Sequence, residues 1–209
     1  MTRIFMVRHG QSLSNIAGTF TGIINSPLSE LGLRQAELCA GYLKEKHPDR
    51  LFSSDLDRAY MTGSALGKII GKPVEKIAGF REIDAGSWGG RKFEDIEKQF
   101  PESFDIWHNS MDDAVCPGGE SVKALQKRVA DALVSAAEKC DGQTICVFTH
   151  ATPIRASAAY ALGQSVQETP WPANSSVSEF SLDDGILTLK TYGFNEFLGG
   201  CTTFLPDNV

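Results

Sequence analysis

Four consecutive apolar residues, Ile145-Cys146-Val147-Phe148, restrict the fold of this chain more than any other feature. Side chains alternate between the two faces of a strand, so this run is apolar on both faces and must be covered on both. Such strands are typical of parallel sheets that lie between two layers of helices. The β-rich segment from Thr2 to Val7 predicts a second strand of the same sheet.

Amphipathic helical patterns separate the strand candidates along the chain. Ser29 is placed to cap a first helix, Asp55 to cap a second helix that Gly71 closes, and either Ser121 or Glu120 to cap a third. The sequence Asp183-Asp184-Gly185 predicts a hairpin turn between two final strands. We therefore predict an α/β fold, a three-layer α/β/α sandwich with a mainly parallel sheet and an antiparallel C-terminal hairpin.

The domain organisation follows from length and from one proline. A chain of 209 residues with 42% hydrophobic residues fits a single domain, which we predict to span residues 1–209. Pro101 lies between two short helical patterns, because proline removes a backbone donor and interrupts a helix. These two patterns predict a small helical cap at about residues 91–116.

Composition excludes several classes of protein. The net charge of −6 argues against general binding to nucleic acid or to anionic membranes, which requires summed basic charge. The five cysteines are odd in number and contain no CxxC pair, so neither a disulfide framework nor a zinc site is expected. The run Ile4-Phe5-Met6-Val7 is too short for a signal-peptide core or a membrane span. We predict a cytoplasmic protein that binds neither nucleic acid nor membrane.

Two histidines follow predicted strands of the same sheet. His9 comes directly after the first strand, and His150 comes after Thr149 at the end of the four-residue apolar run. The carboxyl ends of parallel strands meet at one edge of the sheet, where ligands of open α/β folds bind. Arg58 is expected in the first turn of the second helix. The pattern therefore predicts a polar site at this edge.

Arginine and histidine side chains at such an edge suit a phosphate ligand. A phosphomonoester carries about −1.5 to −2 charges near neutral pH and three acceptor oxygens, which guanidinium groups bind through paired N–H bonds. Arg8 and Arg58 are candidates for that role. His9 is a candidate nucleophile, because a neutral imidazole nitrogen is available near neutral pH. Gly10 is expected to let the backbone approach the phosphoryl group closely.

The segment Arg8-His9-Gly10-Gln11-Ser12-Leu13-Ser14-Asn15 closely resembles the signature of the histidine phosphatase superfamily, also called the phosphoglycerate mutase-like family. The resemblance covers nearly the whole chain, in order, through Phe20-Thr21-Gly22, Pro27-Leu28-Ser29, Ser53-Ser54-Asp55-Leu56-Asp57-Arg58-Ala59, Glu82 with Gly86-Ser87-Trp88-Gly89-Gly90, Pro117-Gly118-Gly119-Glu120-Ser121, and Thr149-His150 before Pro153-Ile154-Arg155. It implies a phosphoglycerate mutase-like fold and a metal-independent enzyme that needs no cofactor.

The resemblance also implies roles for individual residues. His9 would become transiently phosphorylated, with Arg8, Arg58 and His150 forming the phosphate pocket around it. His150 is expected to act as a protonated donor, while His9 must be neutral at the nitrogen that attacks. Three donors held around the phosphate oxygens would stabilise the charge that develops during phosphoryl transfer.

Glu82 matches the acid/base position of the family. It would protonate the leaving oxygen and then deprotonate the water that hydrolyses the phosphohistidine. Asp84 and Glu120 are weaker candidates for the same role, by the tests of reach and of motif position.

Four further residues match positions near the phosphate or the substrate. Asn15, Thr21 and Gly22 correspond to family positions that contact these groups. Ala151 follows the second histidine, where glycine is more usual in the family. An alanine there would be strained at positive φ, so either this backbone is ordinary or the loop is shifted. The backbone N–H of Ala151 remains a candidate donor.

Several aromatic residues fit more than one role. Trp88, Trp107 and Trp171 suit either the walls of a pocket or packing in the core, which is the commoner role. His108 shares the predicted cap with Trp107 and Phe104, so it either lines the leaving-group pocket or lies in the core or at the surface.

Such a site can either let water hydrolyse the phosphohistidine or return the phosphoryl group to a bound substrate. The glycolytic mutases that the chain resembles carry a longer segment between the glutamate and the second histidine, with adjacent arginines that bind a substrate carboxylate. Here the segment holds only Arg91 and Arg128, well separated. This favours hydrolysis of a small phosphomonoester. The alternatives are mutase-type transfer and a noncatalytic phosphate or phosphoprotein binder. The physiological substrate and the oligomeric state stay open.

Overall fold

The computed structural model describes residues 1–204, which form six strands and seven α-helices. The strands are β1 (Thr2–Arg8), β2 (Arg50–Ser53), β3 (Val74–Lys76), β4 (Thr144–Thr149), β5 (Val177–Asp183) and β6 (Ile186–Phe194). The helices are α1 (Leu13–Ala17), α2 (Glu30–Lys44), α3 (Asp57–Ile70), α4 (Phe93–Gln99), α5 (Pro101–Asn109), α6 (Val122–Glu138) and α7 (Ala151–Leu162).

All six strands form one sheet in the order β3-β2-β4-β1-β5-β6. The pairs β1 with β4, β2 with β4 and β2 with β3 are parallel, whereas β5 is antiparallel to both β1 and β6. The predicted mainly parallel sheet with an antiparallel C-terminal hairpin is therefore confirmed. In the register of β1 and β4, Arg8 lies opposite Thr149, so the residues that follow both strands emerge side by side.

The core lies on both faces of the sheet, as the apolar run of β4 predicts. Ile145 and Val147 face a cluster that includes the buried residues of α6 and α7. Cys146 and Phe148 face a second cluster, to which α2 and α3 contribute. All four side chains are at most 1% exposed, so both faces of β4 are fully covered. The three layers follow from this coverage.

Two of the three predicted helix caps are confirmed, and one is wrong. The hydroxyl of Ser29 accepts the N–H of Gly32 at 3.0 Å, and Ser121 caps α6 in the same way. Asp55 does not cap α3, which begins after Leu56. The Asp55 carboxylate instead accepts two N–H bonds from Arg81, at 2.7 and 2.6 Å. A bidentate bond to a cation is stronger than a single bond from a neutral amide.

A short helix, α1, lies in a segment where the sequence analysis predicted no helix. Ser12 and Asn15 form a reciprocal capping box: the Ser12 hydroxyl accepts the Asn15 N–H at 3.2 Å, and the Asn15 amide oxygen accepts the Ser12 N–H at 3.0 Å. Five residues are too few to show an apolar period, which explains why the pattern did not predict this helix.

The C-terminal hairpin turns at the predicted residues. Asp184 and Gly185 have φ values of 46° and 78°, and two central residues at positive φ are the mark of a type I′ turn. That turn matches the twist of the flanking strands, so β5 and β6 pair directly across it.

The segment predicted as a cap contains α4 and α5. Pro101 is the first residue of α5, where its missing N–H costs no helical hydrogen bond. Phe104 and Trp107 of α5 are buried and pack edge to face against Trp88. The division of the chain into one domain with a cap stays a prediction.

The five cysteines all lie within residues 1–204, and none is bonded to another. Four of them are buried, and Cys201 is partly exposed. Burial raises the pKa of the Cys116 thiol to about 12, which disfavours the thiolate that nucleophilic attack or metal binding requires. Among the same residues, every helix is too short or too polar to serve as a membrane span.

Close backbone contact holds α2 against the loop that follows β1. A Cβ atom at Gly32 would lie 2.0 Å from the carbonyl oxygen of Gln11, and a Cβ atom at Gly10 would lie 2.4 Å from that of Gly32. The close approach at Gly10 in the structure is to α2, and the predicted approach of this backbone to the phosphoryl group stays a prediction. Two glycines let the start of α2 fix the loop that carries the candidate nucleophile.

We expect Gly32→Ala to lower the free energy of unfolding by about 1 to 3 kcal/mol, because the new methyl group overlaps a backbone that cannot move aside. Gly41→Ala, in the same helix, is the matched control. No atom lies within 4 Å of its Cβ position, so this substitution should raise stability by up to about 1 kcal/mol. Urea denaturation of both variants measures the difference. Equal effects would contradict the contact.

Candidate active site

Eight of the nine predicted site residues line one cavity at the carboxyl edge of β1 and β4. The cavity has a volume of about 60 Å³, and its mouth opens to solvent. The eight residues are Arg8, His9, Asn15, Thr21, Gly22, Arg58, Glu82 and Ala151. The ninth, His150, is fully buried beside His9, with 5.2 Å between the ring centroids. The structure thus brings the whole predicted set together.

The ring of His9 is held in one orientation by backbone groups. Its Nδ1 lies 2.7 Å from the carbonyl oxygen of Gly10, and because a carbonyl only accepts, Nδ1 must carry the proton. Nε2 is then left with its lone pair free. The carbonyl of His9 itself accepts N–H bonds from the Ser175 backbone and the Asn174 side chain, both at 3.2 Å. The tautomer of His9 is thus the one that leaves Nε2 nucleophilic.

Burial lowers the pKa of His9 well below its ordinary value, and the nearby positive charges of Arg58 and Arg8 lower it further. The Gly10 carbonyl acts in the opposite direction but is the smallest of these causes. The imidazole is therefore neutral at physiological pH. A neutral ring is what nucleophilic attack requires.

His150 is oriented by a hydroxyl at the end of β2. Its Nε2 lies 2.9 Å from Oγ of Ser54, which also accepts the N–H of Leu56 at 3.3 Å. The Ser54 hydroxyl has one proton to donate while it accepts the Leu56 N–H, so we assign that proton to the bond with Nε2. Nδ1 then carries the ring proton, and that buried N–H has no partner within residues 1–204. An N–H so placed is ready to donate to a ligand.

The expectation that His150 is a protonated donor is not met in the structure. Burial lowers its pKa well below the ordinary value, and the charges of Arg58 and Arg8 lower it further. His150 is therefore a neutral ring, and only its Nδ1–H is available as a donor. Sequence reasoning missed this because it considered the phosphate charge alone, without the two buried cations.

Both arginines are buried and fixed by backbone carbonyls. Arg8 donates from Nη1 to Pro172 at 2.6 Å, and Arg58 donates to Ile24 at 2.8 Å and to Gly22 at 2.7 Å. Burial lowers the pKa of each guanidinium to about 10, so both stay charged at neutral pH. The side chains are thus held in place before any ligand arrives, which reduces the cost of binding an anion.

Glu82 enters the cavity from the loop that follows β3. Its carboxylate oxygens accept the N–H of Ile83 at 2.9 Å and the N–H of Thr152, in the first turn of α7, at 3.4 Å. Arg128 holds the loop itself by donating to the carbonyls of Gly79 and Glu82. The carboxyl group is therefore fixed near His9, and Arg128 serves the loop, not a ligand.

The two competing carboxylates are engaged elsewhere. Glu120 accepts two bonds from Arg128, at 3.0 and 2.7 Å, and Asp84 accepts the backbone N–H of Gly86 at 3.0 Å. Neither lines the cavity. The geometry therefore favours Glu82 over both as the acid/base group.

Asn15, Gly22 and Ala151 each contribute to the site in a different way. The side-chain oxygen of Asn15 is occupied by Ser12 and by Asn174, which leaves its amide nitrogen toward the cavity. Gly22 lies at φ 53°, and its carbonyl holds Arg58. Ala151 is the first residue of α7 and is absent from the positions with positive φ, so its backbone is ordinary. Alanine in place of the usual glycine costs no strain here.

Sequence reasoning missed two residues that position the histidines, Ser54 and Asn174. Ser54 lies inside a quoted motif, but only the pairing of β2 with β4 shows that its hydroxyl meets His150. Asn174 follows an irregular segment with no local signal. Of the ambiguous aromatic residues, Trp107 and Trp171 line the cavity, whereas Trp88 is buried in the core and His108 is exposed.

The sequence model of the histidine phosphatase superfamily (branch 1) matches residues 4–195, from β1 to the end of β6. The chain belongs to the histidine phosphatase superfamily. The family expectation drawn from the Arg8-His9-Gly10 segment is thereby confirmed. The matched residues include both histidines, which follow β1 and β4 and lie at the candidate site.

Relatives of known name support this membership. The chain is 37% identical over 159 residues to the metal-independent phosphoserine phosphatase of Arabidopsis thaliana, covering 75% of this chain and 67% of that protein. It is 33% identical over 163 residues to phosphoserine phosphatase 1 of Hydrogenobacter thermophilus, covering 78% and 77%. The solved structure of Bacillus stearothermophilus YhfR superposes with a TM-score of 0.91 at 22% identity, over 95% of this chain and 100% of that one, which shows a shared fold.

Potential metal ligands do not gather in the site. No group of three or more histidine, cysteine, aspartate or glutamate side chains within residues 1–204 is arranged to hold a metal ion. The charges available to a ligand in the cavity are instead those of Arg8 and Arg58.

We expect the free energy of unfolding to decrease as the pH drops from about 6.5 downward, because both buried histidines have lowered pKa values. The unfolded chain then binds protons that the folded protein excludes, so stability is complete above that pH and is lost as pH falls. Each such histidine contributes at most about 1.4 kcal/mol per pH unit in this window. Urea denaturation at pH 7.0 and pH 5.5 measures the slope.

Between these two pH values, the free energy of unfolding of His150→Asn should decrease by about 1 kcal/mol less than that of the parent protein, since asparagine does not titrate. His47→Asn is the matched control, because His47 is exposed and its positive φ of 51° suits asparagine. The control should keep the parent slope. A His150→Asn slope equal to that of the parent would contradict a neutral, buried His150.

Proposed function

We propose that this protein hydrolyses a small-molecule phosphomonoester through a phosphohistidine formed on Nε2 of His9. The observation that carries the proposal is the bond from Nδ1 of His9 to the Gly10 carbonyl, which directs the free nitrogen toward a cavity lined by Arg8 and Arg58. A nucleophile, two cations and a carboxyl group in one small cavity form a complete site for phosphoryl transfer.

In the first step, Nε2 of His9 attacks the phosphorus atom and the bond from phosphorus to the leaving oxygen breaks. The protonated carboxyl group of Glu82 gives its proton to that oxygen, so the product leaves as a neutral alcohol. Arg8, Arg58 and the Nδ1–H of His150 donate to the phosphoryl oxygens and stabilise the charge that develops on them.

In the second step, water attacks the phosphohistidine and the bond from Nε2 to phosphorus breaks. The Glu82 carboxylate takes a proton from that water, inorganic phosphate forms, and His9 returns to its neutral state. Glu82 ends this step protonated, as the next cycle requires. Neither step uses a metal ion or a cofactor, because every charge that changes is matched by one of these side chains.

Hydrolysis is favoured over return of the phosphoryl group to a bound substrate by the charges available in the cavity. Arg8 and Arg58 are the only arginine or lysine residues among its described lining, and both are assigned to the phosphate. A second substrate orientation needs a further cation to hold a carboxylate. The curated relatives described above are also named as phosphatases. The substrate is a small phosphorylated molecule, and a cytoplasmic location stays a prediction.

We expect His9→Ala to abolish hydrolysis of p-nitrophenyl phosphate, because no other described side chain in the cavity has a free imidazole nitrogen. Ser64→Ala is a control on α3 outside the cavity, where the hydroxyl bonds only to the carbonyl of Tyr60. The control should keep the parent kcat. Steady-state kinetics measures both. Turnover by His9→Ala would place the nucleophile elsewhere.

The variant Glu82→Gln should lower kcat most for poor leaving groups, by roughly 10² to 10⁴ for an alkyl phosphate, since a poor leaving oxygen depends on the proton it receives. For p-nitrophenyl phosphate, whose leaving group needs no proton, the loss in the first step should be small. Asp84→Asn is the control for a nearby carboxylate and should affect both substrates equally. Equal losses for the two substrates in Glu82→Gln would exclude its acid role.

Turnover of p-nitrophenyl phosphate should persist after exhaustive dialysis against EDTA, because side chains supply all charges in the two steps. Activity before and after dialysis, compared with a sample to which Mg²⁺ is returned, measures this. Loss of activity that Mg²⁺ restores would overturn the metal-independent mechanism.

A further inference from the structure

Beyond the phosphate end, the cavity has an apolar wall. Four aromatic side chains and one aliphatic side chain line it, and we call this set the aromatic wall: Phe20, Phe93, Trp107, Trp171 and Ile83. These side chains come from separated parts of the sequence: Trp107 lies on α5, Trp171 lies between α7 and β5, and Phe20 lies between α1 and α2. Because the phosphate end is occupied by the reacting group, the aromatic wall is the part of the cavity that meets the leaving group.

The side chains of the aromatic wall pack against one another and against the core. The rings of Phe20 and Trp107 pack edge to face with centroids 5.0 Å apart, and the rings of Trp107 and Trp171 lie 6.4 Å apart at a tilt of 30°. Trp107 is 3% exposed, so its position is set by packing on the core. A wall held by its own packing selects ligands by shape and polarity without a large rearrangement.

Arg155, a further cation beside the aromatic wall, is withdrawn from the cavity. The guanidinium of Arg155 lies 3.9 Å from the ring centroid of Trp171, and Arg155 does not line the cavity. It donates to the carbonyls of Thr169 at 2.7 Å and Val166 at 2.8 Å. It also donates to the carbonyl of Gln167 at 3.5 Å and contacts the sulfur of Met111 at 2.8 Å. Arg155 is therefore committed to backbone and cannot bind a substrate carboxylate.

Arg155 also disfavours a cationic leaving group. Burial lowers its pKa to about 10, so the guanidinium is charged at neutral pH and stacks against Trp171. Aromatic rings bind ammonium groups through the negative charge of their faces. Here a positive charge already covers one side of the Trp171 ring, so a second cation near that ring would be repelled. The aromatic wall thus suits neither anions nor cations.

We propose that the substrates are monophosphates of uncharged, apolar or aromatic alcohols, and that Trp107 and Trp171 select them. The inference rests on the proposed hydrolysis and adds the class of leaving group to it. A carboxylate placed against the aromatic wall would lose its hydration and gain no partner, which costs binding energy. An aromatic ring placed there would bury apolar surface against two indole rings.

Two benzyl phosphates of the same shape test the charge selection. One carries a para-carboxamide and the other a para-carboxylate, so they differ in one charge at a distance from the reacting bond. We expect kcat/KM to be at least about tenfold higher for the carboxamide, because the carboxylate is desolvated without a partner. Benzyl phosphate should also exceed O-phosphoserine and phosphocholine. Equal values for the matched pair, or a preference for O-phosphoserine or phosphocholine, would overturn the inference.

Substitution of the aromatic wall tests which residues make the selection. Trp107→Leu keeps an apolar side chain but removes the ring, so kcat/KM for benzyl phosphate should fall by about tenfold. Ethyl phosphate, which is too short to reach the wall, should keep its kcat/KM within about twofold, and this shows that the variant is folded. Tyr160→Leu, an aromatic residue 60% exposed outside the cavity, is the matched control. Equal losses for both substrates would contradict selection by Trp107.

The two proposals fail in different ways. If neither p-nitrophenyl phosphate nor any of the alkyl and benzyl phosphates is hydrolysed, the proposed hydrolysis is wrong and the leaving-group class falls with it. If ethyl phosphate is hydrolysed but the carboxylate and carboxamide react equally, hydrolysis stands and only the selection by the aromatic wall is wrong.

Discussion

Arg8 lies opposite Thr149 in the parallel pairing of β1 with β4, and the rest of the site depends on this pairing. The two residues that come next in the chain, His9 and His150, therefore emerge side by side at the same edge of the sheet. Parallel pairing of two strands that are apolar on both faces requires helices above and below them. The interaction that builds the core thus also brings the two imidazole rings together.

Burial of the site sets its charges as well as its shape. The guanidinium groups of Arg8 and Arg58 stay charged, and together with burial they keep both histidine rings neutral. Such an arrangement has excess positive charge with little water to screen it, which strengthens attraction for a phosphate dianion. The same charges oppose protonation of His9, so the groups that bind the substrate also keep the nucleophile reactive.

Local sequence predicted β1, β4, the three capped helices and the final hairpin because their signals are short-range, but it did not predict α1. The apolar run of β4, the capping serines Ser29 and Ser121, and the Asp183-Asp184-Gly185 turn each act within a few residues. What the sequence could not predict depends on residues far apart in the chain. The Asp55 carboxylate binds Arg81 instead of capping α3, and Gly10 packs against Gly32. The side chain of Asn174 donates to the carbonyl of His9. All three are tertiary contacts.

We propose that the Gly10 carbonyl fixes the tautomer of His9, so that Nε2 receives the phosphoryl group. The most direct test is ³¹P NMR of the phosphoenzyme, trapped at alkaline pH after rapid mixing with substrate and digested to the peptide that contains His9. The two phosphohistidine isomers differ in chemical shift and in stability. We expect only the Nε2 isomer, on His9. A phosphoryl group on Nδ1, or on any residue other than His9, would contradict it.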